Sequence, residues 1–536
     1  MTGQDVHAAE IVLLLLLLFV VAFAALARKL QTPYPIILVI AGLVLSFVPG
    51  MPRVTLDPEV IFFVVLPPLL YAAAWNTSWK DFRHNLVSIA LLAIGLVAFT
   101  VLGVAVVAPA LLPRFDWRIG LVLGAVVAPT DALAATSIAK RIGLPKRIVA
   151  VLEGESLVND ATGLLALEFA LALIVYGRTP TIASGASRLI YLSVIGIAIG
   201  LVMGRIVEFF EHRIDDAPIE IAVSIFVPYA TYMAADVIRA SGVLAVVTAG
   251  LYLGRKSSQF FSPSVRLQVG AFWESLTFIL NGLVFVLIGF QLPYVLADIR
   301  EFNFAKLIVY AGVFSGLLIL LRLFWSFPGA YVAYLVLTRI LHQNEECPTP
   351  RQVFIIGWTG MRGVVALAAA ISLPATLADG SPFPQRDLII FLTFSVILVT
   401  LVLQGLTLPP LVRALGLAGA TDHQLEEETA RSLIIEAALK HLEEVRQNDD
   451  SNFGDLYDDL AKHYRHRLAS LMHSGDGDGI SSDHHARYLS LSRELLETER
   501  HAAQRLRNEG RVSADVLREL EYEIDLSETR LEAPEH

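Results

Sequence analysis

Up to about residue 415 the chain is a succession of apolar blocks, and blocks of this length leave little choice of fold. They run roughly over 9–27, 33–48, 57–76, 86–110, 117–138, 147–175, 186–210, 216–236, 239–254, 268–296, 304–338, 352–376 and 387–414. An apolar run of about 20 residues crosses the hydrocarbon core as a helix, because each backbone polar group must then be satisfied inside the segment. Membrane-spanning strands would alternate apolar and polar residues over about ten positions, and these blocks do not. The pattern predicts an all-α polytopic membrane protein with about thirteen transmembrane helices. Composition agrees: 55% of residues are hydrophobic and 17% charged, where a soluble domain sits near about one quarter charged.

Charge divides the chain in two. Residues 1–420 carry 27 Lys and Arg against 24 Asp and Glu, whereas residues 421–536 carry 14 against 27. The expected domains are therefore a membrane body over 1–415 and an acidic, mostly helical cytoplasmic tail over 416–536. Stretches such as LEEETARSLIIEAALKHLEEV and HARYLSLSRELLETERHAAQRL read as amphipathic helices, divided by a break at 473–483. They suit a packing hairpin or a regulatory element, and the tail histidines, including His484 and His485, suit either a solvated surface or a pH sensor. Nothing is basic enough to suggest nucleic acid. The single cysteine, Cys347, excludes an intramolecular disulfide and a CxxC metal site. The first block follows a leader without Lys or Arg and precedes Arg28 and Lys29, the wrong order for a cleaved signal; it reads as a retained helix with its N-terminus outside. With the tail inside, the inner loops hold 16 positive residues and the outer loops nine, among them Arg53, Arg114, Arg178 and Arg386, as the positive-inside rule favours.

Two blocks are interrupted. The fifth reads GLVLGAVVAPTDALAATSI, with Pro129 in mid-block, and the twelfth reads FIIGWTGMRGVVALAAA, with Gly357, Gly360 and Gly363 around a charge. Broken helices at membrane depth survive where they pack in protein or line a cavity, and in transporters they build ion sites at matching positions of inverted repeats. Carboxylates accompany them: Asp131 follows the first break, and Glu153, Glu155, Asp160 and Glu168 lie in the next block. Ionisable residues inside a membrane mark ion or proton paths, the bland alternative being structural ion pairs. Arg322 and Arg362 also fall within blocks and each needs a partner. Glu155 is the natural one for Arg322, in a fold-holding pair, and Arg362 suits the negative ends of broken helices. Asp236, Glu220 and Glu274 lie nearer block ends and read as interfacial, and Asn281 reads as a helix–helix hydrogen bond.

Spacing sharpens the chemistry. Ser156, Asn159 and Asp160 stand at i, i+3 and i+4 and share a helix face. A hydroxyl, an amide oxygen and a carboxylate then converge, and Thr130 and Asp131 add a hydroxyl, freed carbonyls and a second carboxylate. Hard cations take oxygen ligands, so Asp160, Ser156 and Thr130 form a candidate Na+ site. A carboxylate holds either a cation or a proton, and competition at one group is the simplest basis for exchange. Desolvation helps by favouring a carboxyl's neutral form.

Five segments carry a resemblance: LPPLLYAAAW (66–75), APTDA (128–132), GESLVNDATG (154–163), LLRLF (320–324) and GMRGVVALA (360–368). With them the chain resembles the sodium/proton exchanger branch of the monovalent cation:proton antiporters, in its bacterial NhaP-like form. The resemblance covers residues 10–415. It implies a thirteen-helix fold with inverted repeats, two broken crossing helices, a homodimer, alternating access of the elevator type, and no cofactor. It implies that Asp160 is the cation and proton carboxylate, with Ser156 and the Thr130 region as ligands, that Asp131 and Asn159 hold the site together, and that Glu155 and Arg322 form the structural ion pair. The Asn159–Asp160 pair implies electroneutral exchange. Some archaeal relatives have an acidic residue where this chain has Ala72, so their pH dependence does not carry over. The expected activity is secondary antiport of Na+ or Li+, with K+ as a further candidate, across a bacterial inner membrane. A cation channel or sensor signalling through the tail is the alternative. An intramembrane aspartyl protease using Asp131 and Asp160 is disfavoured for want of a GxGD sequence.

Overall fold

The computed structural model describes residues 3–30, 32–48, 57–175, 181–214, 216–299, 303–343, 346–377, 379–418, 421–448, 454–472 and 479–509, with scattered residues to 528. Arg53, Arg178 and the first part of the break at 473–483 lie outside them. Among the described residues everything regular is helical, apart from one isolated bridge between Thr376 and Pro382. The chain forms two compact units, Met1–Gly419 and Ala420–His536.

In the first unit, helix falls on each apolar block. Eight segments are long and apolar enough to cross a membrane: Pro58–Asn76, Leu86–Leu111, Lys146–Val175, Ala183–Glu211, Ala217–Val237, Pro263–Pro293, Phe304–Ile340 and Arg386–Ala414. The others are Gly3–Lys29, Tyr34–Leu45, Gly242–Phe260 and the two interrupted blocks. The protein is an all-α, polytopic membrane protein. Its outer face is apolar as well as its core, with Leu320, Phe324, Val202 and Phe209 exposed, which suits a bundle solvated by lipid.

The fifth block is Trp117–Val127 followed by Ala132–Ile142, and the twelfth is Pro350–Trp358 followed by Val364–Ile371. Each break has a local cause. Pro129 has no N–H to continue the first helix, and Asp131 starts the second by accepting the Leu133 N–H at 2.8 Å, a standard N-cap bond. Gly143 ends it in the left-handed conformation, where glycine carries no Cβ penalty. Pro350–Trp358 starts with a capping box between Thr349 and Gln352. The second unit contains Thr421–Asn448, Gly454–Met472 and Gly479–Asn508. The last of these starts inside the expected break, so residues 479–483 are helix.

Candidate ion site

The two breaks meet. The Asp131 N–H donates to Met361 O at 2.8 Å, and Arg362 donates through Nη1 to Ala128 O at 2.5 Å. Ala128 ends the Trp117–Val127 half-helix, whose unpaired carbonyls carry partial negative charge, and the guanidinium meets it there. Asp131 sits at the start of Ala132–Ile142 and also beside Gly363, the residue preceding Val364–Ile371. One carboxylate thus stands near the positive ends of two half-helices. The contact at Gly363 is close: a Cβ there would lie 2.3 Å from Asp131 Oδ2. At Gly360 a Cβ would lie 2.3 Å from Arg322 Cδ. The glycines of the twelfth block leave room for the side chains of Leu323, Arg322 and Asp131, which pass where a Cβ would be.

Lys146–Val175 lies across this crossing. Glu155 and Arg322 form a two-pronged pair, Nη1 to Oε1 at 2.5 Å and Nη2 to Oε2 at 2.8 Å, with each side chain 2% exposed. Arg322 Nη2 also donates to Ile356 O at 3.1 Å. The Thr130 hydroxyl donates to Glu155 Oε1 at 2.9 Å and accepts from Asn159 Nδ2 at 2.6 Å. Ser156 Oγ donates to Thr130 O at 3.0 Å. The break in the fifth block is therefore fastened to Glu155, Ser156 and Asn159 of the sixth.

What remains for a ligand follows by subtraction. Asn159 Oδ1 is buried with no hydrogen-bond partner among the described residues. Ser156 Oγ gives its proton to the Thr130 carbonyl and borders the same cavity. Asp160 is buried and lines a cavity of about 270 Å³ with Thr130, Asp131 and Ser156. That volume holds several waters at roughly 30 Å³ each. The cavity extends past Ala72, Asn76, Thr77, Thr136, Lys140 and Glu153. These lie toward one end of their helices, the end bearing the Lys80 and Lys140–Arg147 loops, so the cavity runs to one side of the bundle.

Other sequence expectations come out unevenly. Asn281 lines the cavity. Glu168 is exposed and pairs with Arg188 at 3.3 Å, because its helix face has turned outward there. Asp236 and Glu274 are exposed, while Glu220 is fully buried, since the first turn of Ala217–Val237 packs against neighbouring helices. The Ala128 and Met361 carbonyls and Thr400, which accepts the Arg362 N–H at 3.2 Å, escaped the sequence reading. Backbone oxygens have no residue signature, and the only hint was that each break must leave some unpaired.

Comparison with known proteins agrees with this architecture. Residues 14–414 match the family model for the sodium/hydrogen exchanger, transmembrane. An uncharacterised Na+/H+ exchanger of Mycobacterium tuberculosis is 35% identical over 98% of this chain and 96% of its own length. A sodium, potassium, lithium and rubidium/H+ antiporter of Bacillus pumilus is 33% identical over 82% of this chain and 66% of its own. In fold, the chain is similar to the sodium proton antiporter MjNhaP1 of Methanocaldococcus jannaschii, with a TM-score of 0.57 at 20% identity over 77% of this chain and 99% of that one. The family match spans the whole helical bundle and includes both broken helices and the Asp160 helix, and the chain belongs to the sodium/hydrogen exchanger family of membrane transporters.

Proposed function

We propose that this protein exchanges Na+ or Li+, with K+ as a further substrate, for H+, and that cation and proton compete for Asp160. The observation that carries this is a buried carboxylate facing a cavity beside Ser156, Thr130 and an orphaned amide oxygen of Asn159. A monovalent hard cation finds oxygen donors there, and a proton finds one carboxylate. Asp131 is committed to a helix cap, and Asn159 is neutral. One free carboxyl carries one cation or one proton, which favours electroneutral exchange. Breadth toward K+ is the property named for the Bacillus pumilus relative.

In this reading the Glu155–Arg322 pair holds the scaffold and Arg362 neutralises the crossing. The chain works as a homodimer in a bacterial inner membrane, N-terminus outside, with the acidic tail beyond residue 415 in the cytoplasm. Access alternates as the site-bearing helices move against the rest.

The test is reconstitution into vesicles with an acid interior and a pH-sensitive dye. NaCl, LiCl, KCl or choline chloride is added to wild type and to Asp160→Asn, with the membrane potential clamped or free. Cation-driven alkalinisation that vanishes in the variant and ignores the clamp is expected. No response to any cation from folded wild type over pH 6 to 9 would sink the antiport reading and favour a channel or sensor.

A further inference from the structure

The cavity has a charged mouth. Lys140 Nζ and Glu153 Oε1 are 2.8 Å apart, and both residues line the cavity that holds Asp160. Register explains the placement. Glu153, Ser156 and Asp160 are three and four residues apart and form a stripe along one face of Lys146–Val175. At 1.5 Å per residue, Glu153 lies roughly 10 Å along the helix from Asp160. On the other wall, Thr136 and Lys140 share a face of Ala132–Ile142, whose first turn is capped by Asp131. Two helices thus line the way to the site, each with a carboxylate at depth and a charge at the mouth.

The mouth pair is loose. Lys140 is 65% exposed in its side chain and Glu153 25%, and ion pairs of that exposure are weakly held. The contrast with Glu155, two residues on and 2% exposed in its side chain, separates a scaffold bond from a breakable one.

We propose that Glu153 is an outer cation-binding residue on the path to Asp160, and that Lys140 is a tethered cation which competes with the incoming ion for it. An arriving cation displaces the ammonium from Glu153, and the ammonium swings into water. The pair then sets the apparent affinity for the cation on the cavity's side of the membrane. This rests on the antiport reading above.

The experiment measures exchange in vesicles of known orientation, with Na+ offered from the cavity side or from the opposite side. Lys140→Gln is expected to lower KM for Na+ on the cavity side by about two- to fivefold, the range a loosely held exposed pair supports. Glu153→Gln is expected to raise it, and Lys140→Arg to keep the wild-type value. The changes fall on KM and not on the maximal rate, and only on the cavity side. An unchanged KM in Lys140→Gln, or equal shifts from both sides, would overturn the proposal. Wild-type vesicles without exchange would instead overturn the antiport reading, before any variant is compared.

Discussion

Arg322 is 1% exposed, and Glu155 meets its guanidinium with both carboxylate oxygens. Removing one partner of a buried pair leaves the other uncompensated, at a cost of about 3–5 kcal/mol. Arg322→Leu and Glu155→Leu are each expected to lower the unfolding midpoint in detergent sharply. The double variant should recover part of the loss, since neither charge is then left alone; a double variant no better than the worse single one would contradict this. The pair was legible in the sequence because an arginine in an apolar block must have a partner and few carboxylates were on offer. Glu168 was misread for a related reason: block membership says that a residue is in a helix, not which way its face points. Asn159 was legible by spacing, but its division of labour was not. That its amide nitrogen fastens Thr130 while its oxygen stays free depends on a residue 29 positions away.

At the scale of elements, the crossing of the two broken helices has no spare room. A Cβ at Gly363 would overlap Asp131, and overpacking of this kind costs about 1–3 kcal/mol. Gly363→Ala is expected to lower both the unfolding midpoint and the exchange rate, because it displaces the residue that caps Ala132–Ile142. Gly312→Ala is the matched control: nothing lies within 4 Å of its added Cβ, and it should leave both quantities near wild type. Equal damage from the two would mean that glycine content, not the close approach, is what matters. The breaks themselves were legible, from Pro129 in one and three glycines in the other. That they touch was not, because the hydrogen bond from Asp131 to Met361 joins residues 230 positions apart and no local pattern encodes such a pairing. The resemblance supplied it.

At the scale of the molecule, sidedness can be read with the protein's own probe. Cys347 is exposed between Phe304–Ile340 and Pro350–Trp358, on the side that the positive-inside rule assigns to the cytoplasm. A membrane-impermeant maleimide is expected to label it in inside-out vesicles and not in intact cells; the reverse would invert the orientation. That the chain folds into membrane-length helices was legible because lipid imposes a length on each. The cavity was not, since it is lined by residues from several distant blocks, Asn281 among them. One atom has a wider consequence. Glu155 Oε1 accepts from Arg322 and from Thr130, so a buried ion pair and the proposed cation seat share an oxygen. Resizing the seat on the Thr130 side therefore weakens the pair. Variants selected for a larger or smaller ion should arise at Ser156 or toward the mouth, where ion preference can drift without loss of sturdiness.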